Sequence, residues 1–404
     1  MTQGETSKIR LRPLRLLFLV PGCIYPVSHG GASRITSVLW GLTERGHAVH
    51  VLSLVGSRDE QVAVSGLPRV ASSESILIRP KPSYLRGSST PSSALGLLIA
   101  GVSECLAQIA REHSIDILQL EYTHAAAYLD AVPGLPVVLT EHDVAFVSRF
   151  RGLRFADTPG AAFVGLIEAL RLYRWELKQA KRADLLLTTS ERDADFLRLR
   201  GVTRVTGAVP NGVEVARLQP RGRREETSDL LFVGNFRLRP NIDGLGYFLS
   251  EIWPSLAEQR RGLSMSVVGP RLAPDLVDRA AALGITYAGY VQDLAAEFWS
   301  HKVLVVPIRY GSGTRVKVLE AAAAKCAIVS TTLGVEGIGL EHGSQVLIAD
   351  DPPAFTKAVI KLLDDADLRA SLGSSAHDMV KNHYDWPVLI QRQESLYYDL
   401  LGWE

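Results

Sequence analysis

The run Val303-Leu304-Val305-Val306-Pro307-Ile308-Arg309-Tyr310-Gly311-Ser312-Gly313-Thr314-Arg315-Val316-Lys317-Val318-Leu319-Glu320-Ala321 reads as an apolar strand, a glycine loop and the start of a helix. Gly311 and Gly313 allow close backbone approach, the helix offers unpaired N–H groups, and Arg315 and Lys317 add positive charge, so the loop suits a phosphate. A tight turn and helix cap, with both cations solvated, is the plainer reading of the same residues. Neither Gly-x-x-x-x-Gly-Lys nor Gly-x-Gly-x-x-Gly occurs here, so this is no Walker loop and no dinucleotide fingerprint. Glu320 sits within an apolar helical stretch, where a carboxylate is costly unless bonded, either by a ligand hydroxyl or by Lys317 on the same helix face.

Outward from this run, short apolar segments alternate with longer helical patterns, which implies parallel sheets with crossover helices. Candidate strands in the first half are Leu16–Pro21, His47–Leu54, Ile76–Arg79, Ile117–Glu121, Val137–His142, Leu185–Thr189 and Val205–Val209. Those in the second are Leu230–Asn235, Met265–Gly269, Thr286–Tyr290, Val303–Ile308, Ala327–Thr331 and Gln345–Ile348. The fold class is α/β, with two doubly wound, Rossmann-like parallel sheets facing across a cleft. A chain of 404 residues suits this, since a domain usually takes roughly 100 to 200 residues. The turn Pro210-Asn211-Gly212 and the polar stretch Gln219–Asp229 mark the boundary, giving domains at 1–214 and 215–384, with an amphipathic helix over 385–404 that starts at Trp386-Pro387 and packs back on the first.

Composition removes several classes of function. Net charge is +1, so no global charge advertises nucleic acid. Cys23, Cys105 and Cys326 lie far apart, which argues against a disulfide framework or zinc site and fits a reducing cytoplasm. No apolar run approaches the roughly 20 residues of a membrane span. Lys8, Arg10 and Arg12 precede the first strand without a small-residue cleavage site, so a short tail is expected there rather than a signal peptide.

In an open parallel sheet ligands bind beyond the carboxyl ends of the strands. That places Gly30-Gly31, Glu121, Glu141-His142-Asp143 and Ser190 at the candidate site of the first half. The second half contributes Asn235, Arg237, Arg239, Gly269-Pro270-Arg271, Tyr290, Val291, the Gly311–Arg315 loop and Gly334. His142, between two acids at a strand end, could donate to or accept from a ligand near neutral pH, or be an ordinary satisfied polar residue. Asp193-Ala194-Asp195 resembles a paired-carboxylate metal site, but Ser190 as helix cap puts Asp193 in a first turn that favours acids anyway, so no metal is expected. The basic and aromatic stretch over 146–182, with Arg149, Arg171, Arg174, Lys178, Lys181 and Arg182, could touch an anionic membrane surface or form a solvated face.

In order and spacing these pieces resemble the retaining glycosyltransferases of family 4, which have the GT-B architecture. The likeness runs through Gly30-Gly31-Ala32, Glu141-His142-Asp143, Ser190-Glu191, Val209-Pro210-Asn211-Gly212-Val213 and Phe232-Val233-Gly234-Asn235-Phe236. It continues through Val268-Gly269, Gly289-Tyr290-Val291 and Leu319-Glu320-Ala321 to the helix after Trp386. The resemblance implies a nucleotide-diphosphate-sugar donor on the second domain, with Glu320 on the ribose and Tyr290-Val291 beside the base. The diphosphate would lie against Gly311, Ser312, Gly313, Thr314, Arg315 and Lys317. His142 would contact the donor sugar near the reacting centre, and Gly30 and Gly31 would approach the phosphates or the acceptor from the first domain. Retention of configuration, no metal and no other cofactor are implied, with a glycan, lipid-linked or small-molecule acceptor and polysaccharide assembly at the inner face of the membrane.

The sequence departs from the family in three places. Ser312 stands where the family carries the first of two glutamates, and Asn235 stands where an Arg is common, with Asn241 after it. Arg237 or Arg239, with Arg315 and Lys317, is expected to supply the missing charge. Ala324-Lys325-Cys326-Ala327 replaces a more usual glycine–proline turn, a change expected to affect packing alone. A nucleotide-sugar epimerase of the same fold and a non-catalytic nucleotide-sugar binder are the alternative functions.

Overall fold

The computed structural model describes residues 12–27, 30–78, 90–153, 158–219, 227–311 and 313–403. Ser312, most of the linker over 219–229 and part of the basic stretch over 146–182 lie outside these residues. The chain divides into two compact units, Met1–Val209 with Ile390–Glu404, and Pro210–Leu389. The division therefore comes slightly before the boundary expected at residue 215.

The first unit holds a parallel sheet of β1 (Arg15–Pro21), β2 (Ala48–Val55), β3 (Ser72–Leu77), β4 (Ile117–Glu121), β5 (Val137–Glu141), β6 (Leu185–Thr188) and β7 (Val205–Ala208), in the order β3-β2-β1-β4-β5-β6-β7. All seven expected strands are present. The edge strand β3 begins earlier than its apolar residues indicated, because its Ser-Ser-Glu-Ser start is held by backbone pairing to β2 from His50 to Val55. Leu17, Leu19, Leu118, Leu120 and Leu139 bury one face under the helices, and Leu16, Phe18 and Val20 are equally buried on the other. Burial on both faces is what a parallel sheet covered by crossover helices requires, and each such side chain contributes about 1.5 to 3 kcal/mol.

The second unit holds β8 (Ser228–Val233), β9 (Met265–Val268), β10 (Thr286–Gly289), β11 (His301–Val306), β12 (Ala327–Ser330) and β13 (Leu347–Ile348), all parallel, in the order β10-β9-β8-β11-β12-β13. Leu230 and Phe232 enter one apolar cluster while Leu231, between them, enters another, the period-two signature of a sheet with two covered faces. In each unit the strand order reverses once, between β1 and β4 in the first and between β8 and β11 in the second. Ligands of doubly wound sheets bind at such reversals, outside the carboxyl ends.

Candidate functional site

At the reversal of the second unit, β8 ends in Val233 and passes into Gly234 and Asn235. Gly269, after β9, has φ +137, and a Cβ there would lie 1.7 Å from the Gly234 oxygen, so only glycine lets these two strand ends meet. The Asn235 side chain accepts from the Arg237 N–H at 3.0 Å, which turns the chain, and the Asn235 carbonyl accepts from Asn241 Nδ2 at 2.9 Å. Arg237 and Arg239 stand exposed on that turn.

Lys317, on the helix Val316–Ala323, reaches across from β11's side of the reversal. Its ammonium donates to Val233 O at 2.6 Å and Asn241 Oδ1 at 2.9 Å and lies 5.1 Å from the centre of the Phe232 ring. Burial, together with Arg315, lowers its pKa to about 7. Glu320, one turn further and half-buried, is not paired with it in a hydrogen bond; burial pushes its carboxyl up to about 7 against the opposing pull of Arg217 and Lys317. Arg217 is a neighbour the sequence did not single out, because only the tertiary fold brings residues 217 and 320 together.

Both described glycines of the loop adopt the positive φ that favours glycine. Gly311 has φ +117 and Gly313 φ +81, and Arg315 Nη1 donates to the Gly313 carbonyl at 2.5 Å, so the guanidinium folds over its own loop. Thr314 is half-buried beside it. Arg309 is engaged elsewhere, in a two-armed ion pair with Asp243 at 3.0 and 2.6 Å. Tyr290 is 75% exposed after β10, and Val291 packs partly on the core.

In the first unit, Gly30 and Gly31 form the first turn of the helix Gly30–Glu44 after β1, and a Cβ on Gly30 would meet no atom within 4 Å. At the other side of the reversal β4 ends in Glu121, and β5 is followed by His142. His142 Nε2 lies 2.6 Å from Glu121 Oε2, and its ring stacks on Tyr122 at 4.0 Å between centroids. Tyr122 has φ +70, a conformation costing about 1 to 3 kcal/mol for a residue with a side chain and often found at functional sites. Burial and the neighbouring Glu121 raise the Tyr122 hydroxyl to about 12. A cavity of about 770 Å³ opens beside Asp143, the residue after His142, and is lined also by Ser92, His124, Arg149 and Glu168. A second, of about 780 Å³, lies at the amino ends of β5 and β6, lined by Arg182, Asp184 and Arg204, far from the strand ends that carry the site.

Two acids lie below the His142 loop: Glu141, which the sequence placed at the candidate site, and Glu176, which it did not. Glu176, from the helix Pro159–Ala180, accepts the Ala145 and Phe146 N–H groups at 2.8 and 3.0 Å, yet burial pushes it up to about 7. Glu141 is buried without a hydrogen-bond partner among the described residues, and burial with Glu176, Asp143 and Asp193 nearby holds it well above the carboxylate range. Ser190 caps its helix by accepting from Asp193 N at 3.1 Å, and Asp195 pairs with Arg198 at 2.6 Å. Among the described residues no group of three or more His, Cys, Asp or Glu could hold a metal ion.

Comparison with known proteins gives the class that this fold and these strand ends define. The model described as Glycosyltransferase Family 4 matches residues 29–217, and that described as Glycosyl transferases group 1 matches residues 227–365. The chain therefore belongs to the family 4, group 1 glycosyltransferases, and its two parallel-sheet units are those of a GT-B fold. It is similar to the sucrose-phosphate synthase of Thermosynechococcus elongatus, with a TM-score of 0.70, 16% identity, and 96% of this chain and 99% of that one covered. Anabaena HepE in complex with UDP gives a TM-score of 0.69 at 13% identity, over 96% and 100% of the two chains. A Listeria monocytogenes protein assigned as a UDP-N-acetylglucosamine 2-epimerase gives 0.60 at 12% identity, over 97% of each. An uncharacterized 44.6 kDa protein of the Klebsiella pneumoniae cps region is 25% identical over 166 residues, a match that takes in 39% of this chain and less than half, 42%, of that protein.

Proposed function

We propose that the protein transfers a sugar, with retention of configuration and without a metal, from a nucleotide diphosphate sugar to a glycan or lipid-linked acceptor. The observation that carries this is the pairing, at one sheet reversal, of a glycine loop and two cations with a half-buried Glu320 whose carboxyl is costly to bury unless a ligand satisfies it. HepE, of the same fold, is described with UDP bound, which favours a nucleotide donor.

In this reading Glu320 bonds the ribose, Tyr290 and Val291 flank the base, and Arg315, Lys317, Arg237 and Arg239 with the loop amides of Gly311, Gly313 and Thr314 take the diphosphate. Their task is to stabilise the charge that gathers on the departing diphosphate as the bond to the sugar carbon breaks. Ser312 and Asn235 belong to the same proposed donor site. Gly30, Gly31 and His142 meet the sugar and acceptor, and the cavity lined by His124 and Asp143 is the acceptor's place. Exposed Phe163, Val164, Leu166 and Leu170, followed by Arg174 and Lys178, support a peripheral contact of this unit with an anionic membrane at the inner face of the cell.

A thermal-shift screen against UDP, GDP and their sugars, followed by the anomeric configuration of the product, tests this reading; no stabilisation by any of them sinks it. The epimerase reading draws on the fold shared with the Listeria protein. Isomerisation of a sugar nucleotide without acceptor would replace transfer by that alternative.

A further inference from the structure

Beneath His142 runs a chain of buried polar side chains, all within the first unit, that ends on the C-terminal helix Trp386–Leu401. Gln119 and Glu121 stand two apart on β4 and so share a face of the sheet. Gln119 Nε2 donates to Glu121 Oε1 at 2.5 Å and to Thr140 Oγ1 at 3.1 Å. The other end of that amide, Oε1, accepts from Gln393 Nε2 at 3.3 Å and from the Tyr397 hydroxyl. Gln393 also donates to Tyr397 at 2.5 Å. Glu121, Gln119, Gln393 and Tyr397 are each 2% exposed or less.

The order of donors in this chain is forced. Tyr397 and Gln393 both give their hydrogens to the Gln119 oxygen, so the Gln119 NH2 group must point at Glu121. One carboxylate oxygen of Glu121 is thereby occupied, and the other faces His142 Nε2 at 2.6 Å. Burial alone would favour the neutral acid, but the hydrogen bond from His142, the charge of Arg34 and the Gln119 bond hold Glu121 below the usual carboxylate range. A carboxylate accepts and does not donate, so the imidazole carries its proton on Nε2 and leaves Nδ1 as the free nitrogen of the ring.

We propose that Glu121 is the positioning residue of His142, fixing the Nε2–H tautomer and the ring's direction, and that the C-terminal helix sets Glu121 through Tyr397 and Gln119. The inference rests on the reading in which His142 meets the donor sugar. Its competitor is that Glu121 serves as counter-ion to Arg34, which is 3% exposed and feels the attraction of Glu121, Tyr397 and Tyr122. Tyr122 stacks on the ring, and His124, which feels the charges of His142 and Asp143, is a further titratable neighbour among the described residues.

Two measurements decide between them. The first is the ¹⁵N spectrum of histidine-labelled protein, with the His142 signal assigned by its loss in His142→Gln. The neutral ring should carry its proton on Nε2 in the parent and lose that preference in Glu121→Gln; an Nδ1–H ring in the parent overturns the proposal. The second is a double-mutant cycle on nucleoside diphosphate release from whichever of UDP-glucose, UDP-N-acetylglucosamine or GDP-mannose is consumed. Glu121→Gln should lower kcat about 10- to 100-fold with KM for the donor little changed, and Tyr397→Phe should lower it less. Neither should add to the loss already caused by His142→Ala. Losses that multiply in the double variants, as a counter-ion role gives, overturn the proposal. Unchanged turnover in His142→Ala overturns the reading of the site and this inference with it.

Discussion

The ammonium of Lys317 lies 2.6 Å from the main-chain oxygen of Val233, the last residue of β8. A side chain from the helix after β11 thus brings its charge to the end of β8, where positions 235 and 241 are asparagines rather than cations. Asn241 accepts from the same ammonium and, through its amide, holds the Asn235 carbonyl, so one lysine and two asparagines tie both sides of the sheet reversal together.

Binding of a sugar nucleotide should weaken as pH rises through about 7. Lys317, lowered to about 7, loses its positive charge above that pH, and Glu320, raised to about 7, gains a negative one, so both changes oppose an anionic diphosphate. Titration calorimetry with UDP-glucose, or whichever sugar nucleotide binds, should show affinity falling by about tenfold per pH unit above that point. A flat profile between pH 6 and 8.5 would remove Lys317 and Glu320 from the binding site.

Replacing Arg315 or Glu320 by alanine should cut turnover by about 10²- to 10³-fold, the loss expected for a group aimed at developing charge or at a fixed ligand hydroxyl. Thermal unfolding should be little changed, since Arg315 Nη1 bonds a carbonyl of its own loop and the Glu320 side chain makes no hydrogen bond to the helix among the described residues. Activity near the parent level in both variants would defeat the assignment of this loop.

Gly269→Ala should be among the most damaging single changes in the second unit. The added carbon would stand 1.7 Å from the Gly234 oxygen at a φ of +137, so the ends of β8 and β9 must separate, at a cost of about 3 kcal/mol or more. Gly246→Ala, whose new carbon meets nothing within 4 Å, is the control and should unfold like the parent. Equal melting temperatures for the two variants would contradict the close approach.

The first unit should lose stability as pH rises from about 4.5 to about 7 through Glu176, whose folded pKa is raised to about 7 from an ordinary 4.5. Between those values the folded state holds a proton that the unfolded chain has given up, so the contribution is complete at low pH and disappears above about 7. Glu176→Gln, which keeps a neutral side chain at every pH, should flatten this part of the profile by up to about 3 kcal/mol. Thermal unfolding of parent and variant at pH 5 and pH 8 checks it; identical pH dependence in the two would refute the role.

Strand content was open to reading because parallel strands buried on both faces appear as short continuous apolar runs, and the glycine loop because positive φ at Gly311 and Gly313 excludes most other residues. Edges were harder: β3 opens on Ser-Ser-Glu-Ser, a segment whose membership comes from pairing with β2 and not from its own composition. His142 and Glu320 were visible as polar residues at strand ends or in apolar helix. Arg34 gave a weaker sign, a charge four residues before Val38 on the buried side of its helix.

The amino-acid order by itself determined the two α/β units, the helix-opening glycines and the side chains that stand at the carboxyl ends of the strands, because periodicity and backbone conformation are local properties. Only the tertiary structure decided which of those side chains act together. That Lys317 turns to Val233 and Asn241 instead of Glu320, that Arg217 approaches Glu320, and that Tyr397 reaches Glu121 through Gln119 depend on strand order and on the return of the last helix to the first unit. Burial sets the protonation of these groups, and burial belongs to the folded chain as a whole.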